Sequence, residues 1–217
     1  TAKTNKLKAL IVGAGGIGTY AALNLALMGI DMDIMDGDRI ESHNLNRQIL
    51  YYGCIGENKA KVLSERLKEF SRAKITALPY YLKDESQIKR NEYQIILSCL
   101  DNWEWRFRLN SYAKRNKIKF INGAVSTFSA KAEFSQCLNC KYDKKTLVEE
   151  QKKQKASCAN LTSNVVMPNA FAGALMASEA KATATPIYQQ LTGKEIRYHS
   201  KNEDSKKITL LEGKCRC

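Results

Sequence analysis

The sequence contains no uncharged apolar run near the ~18 residues that span a bilayer, and no signal-peptide core follows Thr1. These absences point away from a membrane helix and an export signal, and the expectation is a soluble, cytoplasmic chain with no membrane partner. Internal repeats and low-complexity tracts are also lacking. With 44% hydrophobic and 26% charged residues the composition is ordinary for a globular protein, which rules out disordered, collagen-like and coiled-coil readings. At 217 residues the chain suits one domain, residues 1–217. A domain of that size buries roughly 70% of its unfolded surface and needs no disulfide framework.

Acidic charge is in short supply: 35 Lys and Arg stand against 22 Asp and Glu, a formal net charge of +13. The excess invites an anionic partner, whether nucleic acid, acidic protein or nucleotide. Much of it lies in Lys141–Lys155 and between Lys194 and Lys207. Neither stretch interleaves base-stacking aromatics with its cations, so both read as solvated surface. Seven cysteines without an export signal argue against a disulfide scaffold. Two close pairs, Cys137/Cys140 and Cys215/Cys217, suggest a metal instead.

Hydrophobic patterning gives the architecture. Lys8–Val12 is a short apolar run ending in glycine, a buried strand by its length and flanks. Helical spacing follows from Gly16 to Met28, stopping at Gly29, and Ile30–Met35 alternates as a second strand. This β-α-β unit implies a parallel sheet with a right-handed crossover. Further on, Lys59–Phe70 is an amphipathic helix with Val62, Leu63, Leu67 and Phe70 on one face. Ile75–Leu82 and Tyr93–Ser98 read as strands, Asn102–Asn116 as helix and Ile118–Ile121 as strand. Beyond Ala124 the style changes: Phe128–Phe134 alternates like an antiparallel strand leading into Cys137. Lys141–Lys155 has no sustained apolar face and reads as part of a mobile crossing segment over about 141–160. An Ala-rich helix from Val165 to Leu191 opens near Pro168, and Glu195–His199 with Lys206–Leu211 forms a two-stranded ribbon. The class is α/β, a doubly wound and mainly parallel sheet with an antiparallel extension.

Gly13-Ala-Gly15-Gly16-Ile-Gly18 joins the first strand to the first helix. Gly13 permits the tight turn, Gly15 lets a phosphate approach the backbone, and Gly18 lets helix and strand pack closely. The helix N-terminus supplies free N–H donors and a positive dipole end to an anion. Asp36, at the end of the second strand, is placed for ribose hydroxyls. A dinucleotide enzyme would need little more. Here Asp38, Asn44, Arg47 and Gln48 crowd the same sheet edge, Lys59 opens the next helix and Asp101 ends a fourth strand. Two cations and a carboxylate suit a triphosphate with Mg²⁺ better than a dinucleotide. Asp101 has an alternative role as cap of the helix that begins at Asn102.

Together, Gly13–Gly18, Asp36-x-Asp38, Asn44-Leu-Asn-Arg-Gln48, Lys59 and Asp101-Asn102-x3-Arg106-x3-Asn110 resemble the ThiF/MoeB/HesA family. These proteins adenylate ubiquitin-like sulfur carriers and are related to ubiquitin-activating enzymes. The likeness runs from about residue 8 onward and takes in Asn122-Gly-Ala124, Cys137-x-x-Cys140, Val166-x-Pro168, Gly173 and Glu179. It implies a Rossmann-like fold carrying a small Cys zinc knuckle, 137–140 with 215–217. It also implies that Asp36 binds the ribose of ATP, that Asn44, Arg47 and Lys59 contact phosphates, and that Asp101 holds Mg²⁺. The partner would be a small carrier ending in Gly-Gly, and the assembly a homodimer, with a heterodimer as the alternative. The family's N-terminal, Arg-bearing helix has no counterpart ahead of Lys8, so that arginine is expected from a partner subunit or a further segment, or is absent with lower activity as the consequence.

Cys137, Cys140, Cys215 and Cys217 would make a closed tetrahedral Zn²⁺ site with no catalytic opening. The family's second pair is usually spaced C-x-x-C, whereas Cys215-Arg-Cys217 is one residue shorter. Cys158 stands where some members take the activated carrier as a thioester or acyl persulfide. Lys152, Lys153 and Lys155 would lower its pKa from about 8.5. Cys54, in a loop near the expected nucleotide, and Cys99, inside a buried strand, rank below it. The competing classes are a tRNA-modifying member of the same superfamily, favoured by the +13 charge, a dinucleotide-dependent oxidoreductase and a zinc-binding nucleic-acid module.

Overall fold

A computed structural model describes residues 7–89, 91–126, 129–134, 137–138, 142, 166–184, 194–200 and 206–212. Strands β1 (Lys8–Val12), β2 (Asp31–Met35), β3 (Ile75–Leu78), β4 (Ile95–Ser98), β5 (Lys119–Ser126), β6 (Ser129–Glu133), β7 (Lys194–Ser200) and β8 (Lys206–Glu212) form one sheet. Its order is β3-β2-β1-β4-β5-β6-β7-β8, parallel from β3 through β5 and antiparallel beyond. Four helices are described: α1 (Gly16–Leu27), α2 (Lys59–Lys68), α3 (Trp103–Arg115) and α4 (Val166–Ala184).

The sheet separates two apolar layers. On one face α1, α2 and α4 contribute Ile17, Leu25, Leu63 and Met176 to a cluster with Ile11, Ile34 and Ile121. On the other, Leu109, Tyr112 and Ala113 of α3 pack on Leu10, Ile96 and Phe120. Helices on both faces of a parallel sheet are the doubly wound arrangement, and burial on both faces explains the continuous apolar runs of β1 and β4. Gly173 lets α4 settle onto α1, since a Cβ there would lie 2.7 Å from the Ala21 backbone nitrogen. Pro168 is tolerated in the first turn of α4, where its missing N–H has no intrahelical partner.

Several boundaries differ from expectation. β3 ends at Leu78, because Pro79 cannot donate to the ladder. The second helix ends at Lys68, and Phe70, expected on the buried face, is 49% exposed. β5 runs on to Ser126 because Asn122–Ser126 pairs back onto β6 as a hairpin. Cys99 lies just past β4 rather than inside it. The expected crossing segment, apart from Tyr142, falls outside the described residues, as do Cys140, Cys158, Cys215 and Cys217. Among the described residues no helix is long and apolar enough to cross a membrane.

Candidate active site

Strand order reverses between β1 and β4, and a cleft of about 1440 Å³ opens at the C-terminal ends of β1, β2 and β4. This is where open α/β sheets bind ligands, because the loops on either side diverge to opposite faces. Gly13, Gly15, Gly16, Asp36, Asp38, Asn44, Arg47, Gln48, Lys59 and Asp101 all line it. Of the expected nucleotide residues, only Gly18 is absent from the wall. It is buried in α1, where a Cβ would sit 1.9 Å from the Gly13 carbonyl oxygen. Its job is close packing.

The glycines of the loop do different work. Gly13 has φ +97°, and a Cβ there would meet the Cys99 carbonyl oxygen at 2.7 Å. Gly16 leaves room for the buried Asn169 side chain of α4, whose Oδ1 would be 2.2 Å from an added Cβ. Gly15 has nothing within 4 Å of that position. It is the N-cap of α1 and offers no side-chain cap, so the helix start is bare backbone on the cleft wall. Tyr51 supports the loop from beneath, fully buried, with its hydroxyl donating to the Ala14 carbonyl at 2.5 Å.

Asp36 staples two loops: Oδ2 accepts from the Ala14 N–H at 2.6 Å and Oδ1 from the Asp38 N–H at 2.7 Å. Burial raises its pKa against the lowering effect of those two bonds. Two of its roughly four lone-pair sites are left for a ligand. Asp38 has both oxygens engaged, accepting from Tyr81 Oη at 2.7 Å and from Lys59 Nζ at 2.9 Å. Burial pushes Asp38 up, but those hydrogen bonds outweigh it and hold the carboxyl below the usual carboxylate range. Lys59 is the first residue of α2, an end of the dipole that disfavours a cation, and Asp38 offsets that cost.

Arg47 is half-buried, its Nη1 donating to the His43 carbonyl at 3.0 Å and to Asn46 Oδ1 at 2.8 Å, and burial lowers its pKa. Asn44 is buried, with Oδ1 accepting from the Glu41 N–H. Gln48 is buried too, and its Oε1 has no hydrogen-bond partner among the described residues. A buried orphan of that kind costs about 1–3 kcal/mol, which a donor on a ligand would recover. Asp101 is exposed on the cleft wall, and the cap of α3 is Asn102, whose Oδ1 accepts from the Trp105 N–H.

Sequence reasoning missed Tyr51, Tyr81 and Asn169, which no periodicity or spacing marks. It also ranked two cysteines by the wrong surroundings. Cys54 is not on the cleft wall and sits 3.8 Å from Arg66. Cys99 is on the wall, but burial pushes its thiol up to about 12, which keeps it protonated and unreactive at neutral pH. Among the described residues no three His, Cys, Asp or Glu side chains form a ready-made metal site.

The ThiF family matches residues 1–217. The chain belongs to the ThiF family. It is 27% identical over 222 residues to the sulfur carrier protein adenylyltransferase of Thermus thermophilus, covering 96% of this chain and 80% of that one. It is 26% identical over 208 residues to adenylyltransferase and sulfurtransferase MOCS3-1 of Zea mays, covering 90% of this chain and 43% of the relative. A Haemophilus influenzae tRNA threonylcarbamoyladenosine dehydratase is 32% identical over 116 residues, covering 51% and 44%. In structure, the ThiF-family chain superimposes on E. coli MccB solved with ATP at a TM-score of 0.79 and 23% identity, covering 98% of this chain and 65% of MccB. The chain thus spans less than half the length of the maize relative and about two-thirds of MccB.

The glycines generate a paired prediction. Gly18→Ala should lower stability by about 1–3 kcal/mol, because backbone meets backbone. Gly15→Ala should leave the denaturation midpoint unchanged while weakening nucleotide binding. Chemical denaturation and nucleotide titration of both variants check it; a destabilised Gly15→Ala protein would contradict the open geometry.

Proposed function

We propose that the chain is an ATP-dependent adenylyltransferase that activates the C-terminal glycine carboxylate of a small ubiquitin-like sulfur carrier. The observation that carries this reading is the convergence of the glycine loop, Arg47, Lys59 and Asp101 on one cleft at the switch point. One relative named a sulfur carrier protein adenylyltransferase and one named an adenylyltransferase and sulfurtransferase support it.

A peptide carboxylate is already ionised at neutral pH, so its attack on the α-phosphate needs no general base. The oxygen–phosphorus bond forms as the bond to the β-phosphate bridging oxygen breaks, giving acyl adenylate and pyrophosphate. What the protein must supply is positioning and charge neutralisation. Asp36 would bind the ribose, the bare start of α1 with Asn44, Arg47 and Lys59 would receive the phosphates, and Gln48 would contact the same nucleotide. Mg²⁺ is normally held by one or two carboxylates together with substrate phosphates, so Asp101 alone fits that mode without a preformed cage. When bound, the ion would neutralise phosphate oxygens.

A zinc knuckle of Cys137, Cys140, Cys215 and Cys217 is part of the same proposal. Of its four cysteines Cys137 alone is among the described residues, buried beside Leu138, whose N–H donates to Asn110 Oδ1 of α3 at 2.8 Å. A second step at Cys158 would transfer the acyl group to its thiolate and release AMP. A tRNA substrate is the second reading, motivated by the +13 charge and by the dehydratase relative. A salt-steep gel shift with tRNA would favour it.

ATP–pyrophosphate exchange with a panel of small proteins ending in Gly-Gly tests the central reading. Wild type should exchange with at least one, and Asp101→Ala should abolish Mg²⁺-dependent exchange with the fold intact; unchanged exchange in that variant refutes the assignment. Elemental analysis after chelator-free purification should find one zinc per chain, and well under one removes the knuckle. For Cys158, a reducible carrier adduct should form with wild type and vanish in Cys158→Ala while exchange persists. If wild type never forms the adduct, the chain only adenylates.

A further inference from the structure

The Asp38 carboxylate is about half exposed, with a side-chain accessibility of 47%, while Lys59 beside it is at 10%. Packing alone therefore does not hold the Asp38 rotamer; its two hydrogen bonds do. Tyr81 supplies the one that does not involve Lys59. Although 55% exposed, its ring is lodged against Gly37, where a Cβ would approach the ring carbons to 2.6 Å. The backbone below is clamped as well, with Asn58 Nδ2 donating to the carbonyls of Asp36 at 3.0 Å and Asp38 at 3.2 Å. Tyr81, Gly37, Asp38 and Lys59 all line the cleft.

We propose that Tyr81 is a positioning residue for Lys59, acting through Asp38, so that its hydroxyl fixes where the ammonium meets a bound triphosphate. This rests on the nucleotide reading of the cleft. A lysine head on a four-carbon stem has much rotamer freedom to lose, and a cation pre-set by a fixed carboxylate binds phosphate with less of that loss. Deleting the hydroxyl frees one Asp38 oxygen, lets the carboxylate turn and lets the ammonium follow it. Tyr81→Phe keeps the ring on Gly37 and removes only the hydrogen bond, so it separates positioning from wall-building.

The test is calorimetric titration of wild type, Tyr81→Phe, Lys59→Ala and the double variant with Mg²⁺-ATP and, separately, with adenosine. Tyr81→Phe should weaken ATP binding about 3- to 10-fold, the scale of one hydrogen bond, and leave adenosine binding unchanged. In the Lys59→Ala background it should cost nothing further, because the two residues act as one unit. Unchanged ATP affinity in Tyr81→Phe overturns the proposal, as do equal losses for ATP and adenosine or additive losses in the double variant. If wild type binds ATP and the losses add, only the Tyr81 assignment falls. If wild type binds neither ligand, the nucleotide reading of the cleft falls as well.

Discussion

The Asp36 carboxylate is the joint on which the cleft depends. One oxygen holds the Ala14 N–H in the loop after β1 and the other holds the Asp38 N–H in the loop after β2. Those loops leave adjacent parallel strands and would otherwise be free to splay. Once they are tied, the bare start of α1 lies on one side of Asp36 and the Asp38–Lys59 pair on the other. Burial works against the charge that makes these bonds strong and leaves the pKa raised, with the two backbone donors countering only part of it. If Asp36 binds the ribose, as proposed, it does so while also tying the two loops, and deleting the side chain would remove both roles together.

The same division runs through the rest of the motif. Arg106 is on the cleft wall, and its guanidinium folds back onto the Leu100 carbonyl and stacks on Trp103, with the ring centre 5.0 Å away. Asn110 holds the Leu138 N–H, and Asn122 Nδ2 donates to the fully buried Glu133 at 2.6 Å. Glu133 in turn accepts from Tyr142 Oη at 2.6 Å and pairs with Lys131. These residues join α3, the antiparallel strands and the segment around Cys137 into one frame. A signature can therefore mix cleft-lining cations with residues that brace the frame, and Arg106 does both.

Why some features were legible and others not follows from their physics. The β-α-β start was readable because Lys8–Val12 is buried on both faces and Gly13 and Gly18 have no substitute at their positions. Most of the polar cleft lining was readable because it clusters at strand ends, which the alternation of strands and helices brings to one edge. Tyr51, Tyr81 and Asn169 were not, because each acts across a sequence distance that no local period encodes. Nor was the Lys59–Asp38 pair, 21 positions apart, which turns an unfavourable helix-start cation into a held one. Boundaries slipped where a single residue overrode a pattern, as Pro79 did in β3.

The cleft wall carries both signs of charge, with Asp36, Asp38, Glu41 and Asp101 against Arg47, Lys59, Arg106, Lys131 and Arg197. Asp36, Asp38 and Asp101 stand among the expected ligand residues against Arg47 and Lys59, and Lys59 is already paired to Asp38. The chain's excess of +13 is therefore not concentrated on these positions. Arg47 is the expected phosphate cation that no carboxylate among these residues holds, and Arg106, Lys131 and Arg197 add positive charge elsewhere on the cleft wall. Burial lowers the pKa of that cation, Arg47, but an arginine stays charged at any working pH. In the proposed reading a metal ion chelated by the nucleotide's phosphates would be met by Asp101 and would add to this charge. The chain would then contribute orientation, one steering carboxylate and the cations of the cleft wall, with the metal ion supplying the rest of the neutralisation.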